Sequence, residues 1–274
     1  MAGSSMGSVR IFDIGRPLIM AHRGDPSAAP ENSRSSMESA IKVGVDFLET
    51  DVRMTKDEHL ILFHDANLLR TTGRAGRVQD YSLEELRELD IGYNYTVDGT
   101  SYPFRGKGHH VVTIEEAFEA YPDTKFTVDI KDSAPRAPAL LAKAIADSNR
   151  LDSVIVASFK PPQMKRFRDL VPNALTSAHP GEVRNFVLGV RLRAVGKLVK
   201  RIQYRAFHVP VKYGPLRVVN SRFVEEAHKR DIAVQVWTIN DREEMEWLID
   251  LGVDGIFTDE PMLMRDVLTD RGLL

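Results

Sequence analysis

Four short polar runs crowd the first quarter of this chain: His22-Arg23-Gly24, Glu31-Asn32, Glu49-Thr50-Asp51 and His64-Asp65. Imidazoles move protons near neutral pH, paired carboxylates bind a hard divalent cation, and a guanidinium pairs with phosphate oxygens. Together these are the parts needed to hold a cation beside a phosphodiester and break it. No other stretch is so dense in reactive groups.

Spacing adds detail. Side chains alternate along a strand, so Glu49 and Asp51, at the end of a strand pattern over 47–52, project to one side. Carboxylates held that close raise a pKa unless a cation lies between them, which makes the pair a candidate Mg²⁺ or Ca²⁺ site; a solvated strand end is the alternative. Asp129 and Lys131 repeat the spacing at the end of 125–130. There Asp129 can complete the metal site while Lys131 faces the same anion, or the two can pair over the next loop. His22 directly follows the pattern at 18–21, with Gly24 allowing close approach, and His64 follows the apolar run 60–63. Singly, each histidine reads as structural. Two of them flanking a carboxylate cluster, both at strand ends, point to acid–base chemistry.

Glu31 can reach the same place, and Asn32 precedes a helical pattern that makes it the expected N-cap. Trp237, at the end of a strand pattern, would wall an alcohol or face a choline-like ammonium if turned inward, with core packing as the alternative. Asp259-Glu260-Pro261 reads as a helix start and is not counted in the site. His109, His110, His179, His208 and His228 lack matching partners and read as surface or loop residues.

The elements that must position these groups follow a regular rhythm. Apolar strand patterns fall at 18–21, 47–52, 125–130, 153–157, 174–177, 206–209, 233–237 and 255–257. Helical patterns lie at 33–43, 114–121, 137–148, 162–170, 221–229, 242–251 and 262–269. Such alternation predicts an α/β fold, a TIM-type (β/α)8 barrel with an insertion after strand 2. The expected organisation is a polar tail over 1–16 and a single domain over 17–274. Glycines crowd the region after residue 60, with one short helical run at 82–89, and place the insertion at about 64–112; loops this long in compact domains are usually functional. A second irregular stretch, 184–205, carries seven positive charges and no acidic residue, with Leu188, Val190, Leu192, Val195, Leu198 and Ile202 interleaved. It allows an amphipathic basic helix that could make peripheral contact with an anionic membrane; a solvated barrel face is the alternative.

Bulk properties bound the partners. Net charge is −2, from 37 basic against 39 acidic residues, so no overall field draws the chain to nucleic acid, and none is expected as a partner. The chain has no cysteine, which leaves oxygen and imidazole as metal ligands. The opening ten residues carry no apolar h-region, and Ala2 removes a myristoylation pattern. No run approaches the roughly 18 apolar residues of a membrane span. A soluble, cytoplasmic protein, at most peripheral to a membrane, is expected.

The runs Ala21-His-Arg-Gly-Asp25, Ala29-Pro-Glu-Asn-Ser33, Phe47-Leu-Glu-Thr-Asp51-Val and Leu62-Phe-His-Asp65 resemble the glycerophosphodiester phosphodiesterase family. So do Val128-Asp-Ile-Lys131, Val236-Trp-Thr-Ile-Asn240 and Gly252-Val-Asp-Gly-Ile-Phe-Thr-Asp259. The resemblance is ordered and runs from about residue 17 to 268. It implies that His22 and His64 are the acid/base pair, Arg23 holds the phosphate, Glu49 and Asp51 bind the metal, and Glu31 is metal-proximal or substrate-proximal. At the third metal position the family usually has Glu where this chain has Asp129, shorter in reach by roughly 1.5 Å. A bridging water or a larger cation such as Ca²⁺ would make up the distance. Ser33 stands where Thr is more usual.

The reaction expected is metal-dependent hydrolysis of a small glycerophosphodiester to glycerol 3-phosphate and an alcohol. One histidine takes a proton from the attacking oxygen, the other returns one to the departing alkoxide, and Arg23 and Lys131 stabilise the phosphate charge. Two other readings stand beside it. One is a lysophospholipase D-type enzyme acting on lysophospholipids at a membrane surface through 184–205; the other is a non-catalytic phosphoester-binding protein. A binder would need only the cationic groups.

Overall fold

A computed structural model describes residue 12 and residues 14–274; residues 1–11 and 13 of the expected polar tail lie outside the described residues. The strands are β1 Leu18–His22, β2 Phe47–Met54, β3 Leu60–Leu62, β4 Lys125–Ile130, β5 Val154–Ala157 and β6 Leu175–Thr176. They continue with β7 Ala206–Pro210, β8 Lys212–Tyr213, β9 Leu216–Arg217, β10 Ala233–Trp237 and β11 Gly255–Thr258. Parallel pairing runs β6-β5-β4-β2-β1-β11-β10-β7, so each of the eight strand patterns is found. The ends meet through a parallel bridge between Ser177 and Ala206, with Ala178 N donating to Ala206 O at 2.9 Å. The result is a (β/α)8 barrel.

Parity along the strands explains the layers. On β1, Leu18 and Met20 face the barrel axis with Phe47 of β2, Ile155 of β5, Ala206 of β7, Ala233 of β10 and Phe257 of β11, closed at one end by Phe12. The intervening residues Ile19, Ala21, Leu48 and Val128 pack outward under the helices. Each fully buried Leu, Met or Phe in these layers contributes roughly 1.5–3 kcal/mol of transfer free energy. The axial face turns from apolar to polar toward the C-terminal ends of the strands: Phe47 gives way to Glu49 and Asp51, Met20 to His22.

The helices appear where their patterns fall, among them Arg34–Val43, Ile114–Ala120, Pro161–Leu170 and Arg242–Leu251. One expected cap moves by a residue. Ser33, not Asn32, caps Arg34–Val43, its Oγ accepting from Ser36 N at 3.1 Å. Asn32 instead sits at φ 56° with its amide turned into the site. After β2 the chain returns antiparallel as β3, and the segment that follows builds a small core of its own from Phe63, Leu68, Val78, Leu83, Leu86 and Ile91. The 184–205 stretch is not one helix. A helix Pro180–Arg191 ends, Arg193 takes φ 53°, and a single turn Val195–Leu198 follows before β7.

Candidate active site at the barrel mouth

Strand register brings the sequence-predicted residues together. β1 aligns His22 beside Glu49 of β2, and β2 aligns Asp51 beside Asp129 of β4. Lys131 follows β4, Trp237 ends β10, and His64 comes just beyond β3, where Arg53 Nε donates to His64 O at 2.8 Å. Arg23 takes φ 60° and Gly24 φ 88°. A Cβ on Gly24 would come within 2.8 Å of the Ser36 backbone carbon, so this close turn requires glycine. The turn delivers Arg23 N to Glu49 Oε2 at 3.0 Å and lays the guanidinium along the carboxylates.

The acids and cations interlock. Lys131 Nζ lies 2.9 Å from Asp51 Oδ1 and 2.8 Å from Asp129 Oδ2. Arg23 Nε lies 3.2 Å from Asp51 Oδ2, and its Nη1 donates to Glu31 Oε1 at 3.1 Å. Asn32 holds the back of the cluster, accepting from Thr50 Oγ1 at 2.6 Å and donating to Asp51 Oδ2 at 3.4 Å. Two cations thus face the three carboxylates Glu49, Asp51 and Asp129, and the imbalance shows in the protonation. Burial, then Asp51, pushes Glu49 up to about 7. Burial likewise raises Asp129, whereas for Asp51 the effect of burial is outweighed by Lys131 and Arg23, which hold it below the usual carboxylate range.

Two histidine–carboxylate pairs flank this cluster. Asp259 Oδ1 lies 2.7 Å from His22 Nδ1; an ionised carboxylate can only accept, so Nδ1 carries the proton and Nε2 faces the site, 4.0 Å from Glu49 Oε2. Asp65 Oδ1 makes the matching contact to His64 Nδ1 at 2.6 Å. Burial would lower His22, but Asp259 and Glu49 outweigh it and leave its pKa raised; for His64 burial prevails and the pKa is lowered. Asp65 is held down to about 2, burial being overcome by Arg70 and His64.

Three participants were not in the expected set. Asp259, which ends a run resembling the family but reads as a helix start and is not counted in the expected site, lies two positions beyond the inward-facing Phe257, which is the parity signal for it. Arg70, on the insertion, reaches Glu31 with Nη1 at 2.8 Å and Nη2 at 2.6 Å and Asp65 with Nε at 2.6 Å. Both Glu31 oxygens are therefore spent on guanidiniums. Phe159, 55% exposed, meets Trp237 edge-on at 5.7 Å, with Lys131 Nζ 5.5 Å from its ring. His208 is no loop residue: it lies on β7, its Nε2 2.8 Å from Gln235 Oε1 and its ring 4.9 Å from Phe257, and burial pushes it down to about 4. His179 caps the helix Pro180–Arg191, its Nδ1 accepting from Gly181 N at 3.1 Å.

No group of three or more His, Asp or Glu side chains among the described residues is gathered as a metal site where the side chains stand. The donor chemistry fits a hard cation nonetheless. Asp129 Oδ1 is buried without a hydrogen-bond partner, and the cluster carries one carboxylate more than its cations balance.

Fold and mouth together define a barrel-type phosphodiester hydrolase. The model of the glycerophosphoryl diester phosphodiesterase family matches residues 22–263, and the chain belongs to that family. It is 30% identical over 264 residues to a glycerophosphodiester phosphodiesterase of Caldanaerobacter subterraneus subsp. tengcongensis, covering 94% of this chain and 100% of that one. It is 24% identical over 272 residues to a human lysophospholipase D, covering 91% and 85%. Among solved structures, an Oleispira antarctica phosphodiesterase in complex with the product sn-glycerol-3-phosphate shares the fold, with TM-score 0.76, 22% identity and coverage of 93% and 97%.

Proposed function

We propose that this chain hydrolyses glycerophosphodiesters to glycerol 3-phosphate and a free alcohol at the barrel mouth. The observation that carries the reading is the pair of histidines, each with Nδ1 tied to its own carboxylate and Nε2 without a hydrogen-bond partner among the described residues, flanking one anion-binding arginine. Each Nε2 is the atom that exchanges protons: one histidine takes a proton from the attacking oxygen, the other gives one to the departing alkoxide. Asp259 and Asp65 fix the tautomers and stabilise the imidazolium as it forms. Arg23 and Lys131 bind and orient the nonbridging phosphate oxygens and meet the charge that builds on them.

Glu49, Asp51 and Asp129 are the residues that would hold a divalent cation, Mg²⁺ or Ca²⁺. When bound, such an ion supplies Lewis-acid polarisation of the phosphate. Phe159 and Trp237 wall the side where the alcohol leaves, and suit a methylated ammonium such as choline.

Turnover of glycerophosphocholine before and after chelation, with Mg²⁺ or Ca²⁺ added back, tests the reading. Loss on chelation and recovery with either ion is expected; full turnover in chelator would remove the cation from the scheme. The exposed Phe159 ring also favours a second substrate, a lysophospholipid whose apolar chain lies across that rim. Comparing lysophosphatidylcholine with glycerophosphocholine ranks the two.

A further inference from the structure

One corner of the molecule takes no part in this chemistry. The turn Val195–Leu198 folds back on the helix Pro180–Arg191, closely enough that a Cβ on Gly189 would lie 2.8 Å from Val195 Cα. The corner exposes Arg184, Arg191, Arg193, Lys197, Lys200 and Arg201. None of these has a carboxylate within ion-pair distance among the described residues. Elsewhere on the surface pairing is common, as in Lys165–Asp169, Lys229–Glu225 and Arg242–Asp270.

Apolar side chains share the corner. Leu188 is 46%, Leu192 62% and Leu198 40% exposed, and Leu188 and Leu192 stand one helical turn apart. A cavity of about 250 Å³ opens between the turn and the helix Ser221–His228, lined in part by Arg193, Lys197, Arg222 and Arg230. Its one lining acid, Glu226, is already engaged by Arg230 at 2.8 Å.

We propose that this corner docks on an anionic phospholipid bilayer. The leucines enter the interfacial layer, and the unpaired cations and the arginine-lined cavity take headgroup phosphates. The exposed leucines favour lipid over nucleic acid, because a polyanion alone would call only for the charges. With a net charge of −2 the attraction is local to this face. Direction follows from topology: a helix after a parallel strand runs back to the strands' N-terminal end, so Arg191 lies at the end of the barrel away from His22 and Asp51. Docking here tethers the molecule and leaves the mouth facing water, which goes beyond the proposed reaction and does not depend on it.

Sedimentation of the full chain with vesicles of phosphatidylglycerol in phosphatidylcholine, against phosphatidylcholine alone, tests the surface. Salt-sensitive binding to the anionic vesicles only is expected. Each cation removed should weaken it about fivefold, so the triple variant Arg193→Glu, Lys197→Glu, Arg201→Glu loses well over tenfold. The double variant Leu192→Ser, Leu198→Ser should also weaken vesicle binding. Unchanged turnover of glycerophosphocholine by both variants shows that the barrel has survived. An unmodified chain that stays in the supernatant overturns the proposal, as does a triple variant that still sediments. Vesicle binding indifferent to the leucines and abolished by competing duplex DNA would make the corner a general polyanion site and overturn it too.

Discussion

The His22–Asp259 pair joins residues 237 positions apart, while His64–Asp65 joins neighbours in one loop. The first exists only when the barrel closes, because β1 must pair with β11, Ala21 opposite Thr258, before Asp259 can meet His22. Asn240 then locks Asp259 from a further segment, donating to its Oδ2 at 2.7 Å. The second pair needs only a local turn, and its outside support comes from Arg70 on the insertion. Environment follows construction. The more enclosed His22 has its pKa raised because carboxylates on two sides outweigh burial, whereas burial lowers the pKa of His64 despite Asp65. One side-chain arrangement, set in two surroundings, moves two imidazole pKa values in opposite directions.

The largest expected effect breaks both pairs equally. His22→Ala and His64→Ala should each lower turnover by about 10²–10⁴ while the far-ultraviolet spectrum and melting temperature stay near those of the parent. Retained activity in both would defeat the acid–base assignment. Replacing the partners separates them. Residues that orient a histidine are commonly worth about 10–100-fold, and Asp259→Asn should fall at the upper end of that range and Asp65→Asn at the lower.

The sign of the accompanying pH change is the same in principle and different in readout. Each carboxylate raises the pKa of its histidine, so each amide variant lowers it. A base with a lowered pKa moves the acid limb of kcat/KM to lower pH; an acid with a lowered pKa moves the alkaline limb to lower pH. The limb that shifts in each variant therefore says which histidine takes the proton and which gives it. Arg70→Ala tests the support from the insertion, with kcat down about fivefold and KM little changed, the scale of a half-exposed ion pair. Arg70→Lys should not restore it, because an ammonium cannot fork across Glu31 while also holding Asp65.

The same contrast explains what could be read before the fold was known. Each barrel strand was legible because parallel strands covered by helices are buried on both faces and stand out as apolar runs. His22, Arg23, His64, Asp129 and Lys131 were legible because each sits within a residue or two of such a run's end, and Glu49 and Asp51 because two carboxylates spaced by two interrupt an apolar run. Asp259 was hidden by Pro261, which marks a true helix start at Pro261–Asp270 and drew the whole tripeptide into that role. His208 was hidden by a lack of charged neighbours, although it shares an inward parity with Ala206. Asn32 and Ser33 are both good caps, and propensity alone could not tell that the buried Asp51 would claim one of them. Over 184–205 the amphipathic pattern was real, but Gly189 and the left-handed Arg193 let the chain fold back where an uninterrupted helix was allowed.

The smallest expected effect lies on the rim and sharpens the contrast from outside it. Phe159 meets Trp237 and the Lys131 ammonium. Phe159→Ala should leave kcat for glycerophosphocholine unchanged and raise KM about two- to fivefold, the scale of a partly exposed cation–π contact. With a glycerophosphodiester whose alcohol carries no ammonium, the same variant should show little change, since the ring then loses only weak dispersion contact. A fall in kcat at constant KM would instead tie the ring to Lys131 and through it to the charge developing on the phosphate, because only a group acting in the transition state lowers kcat without touching ground-state binding.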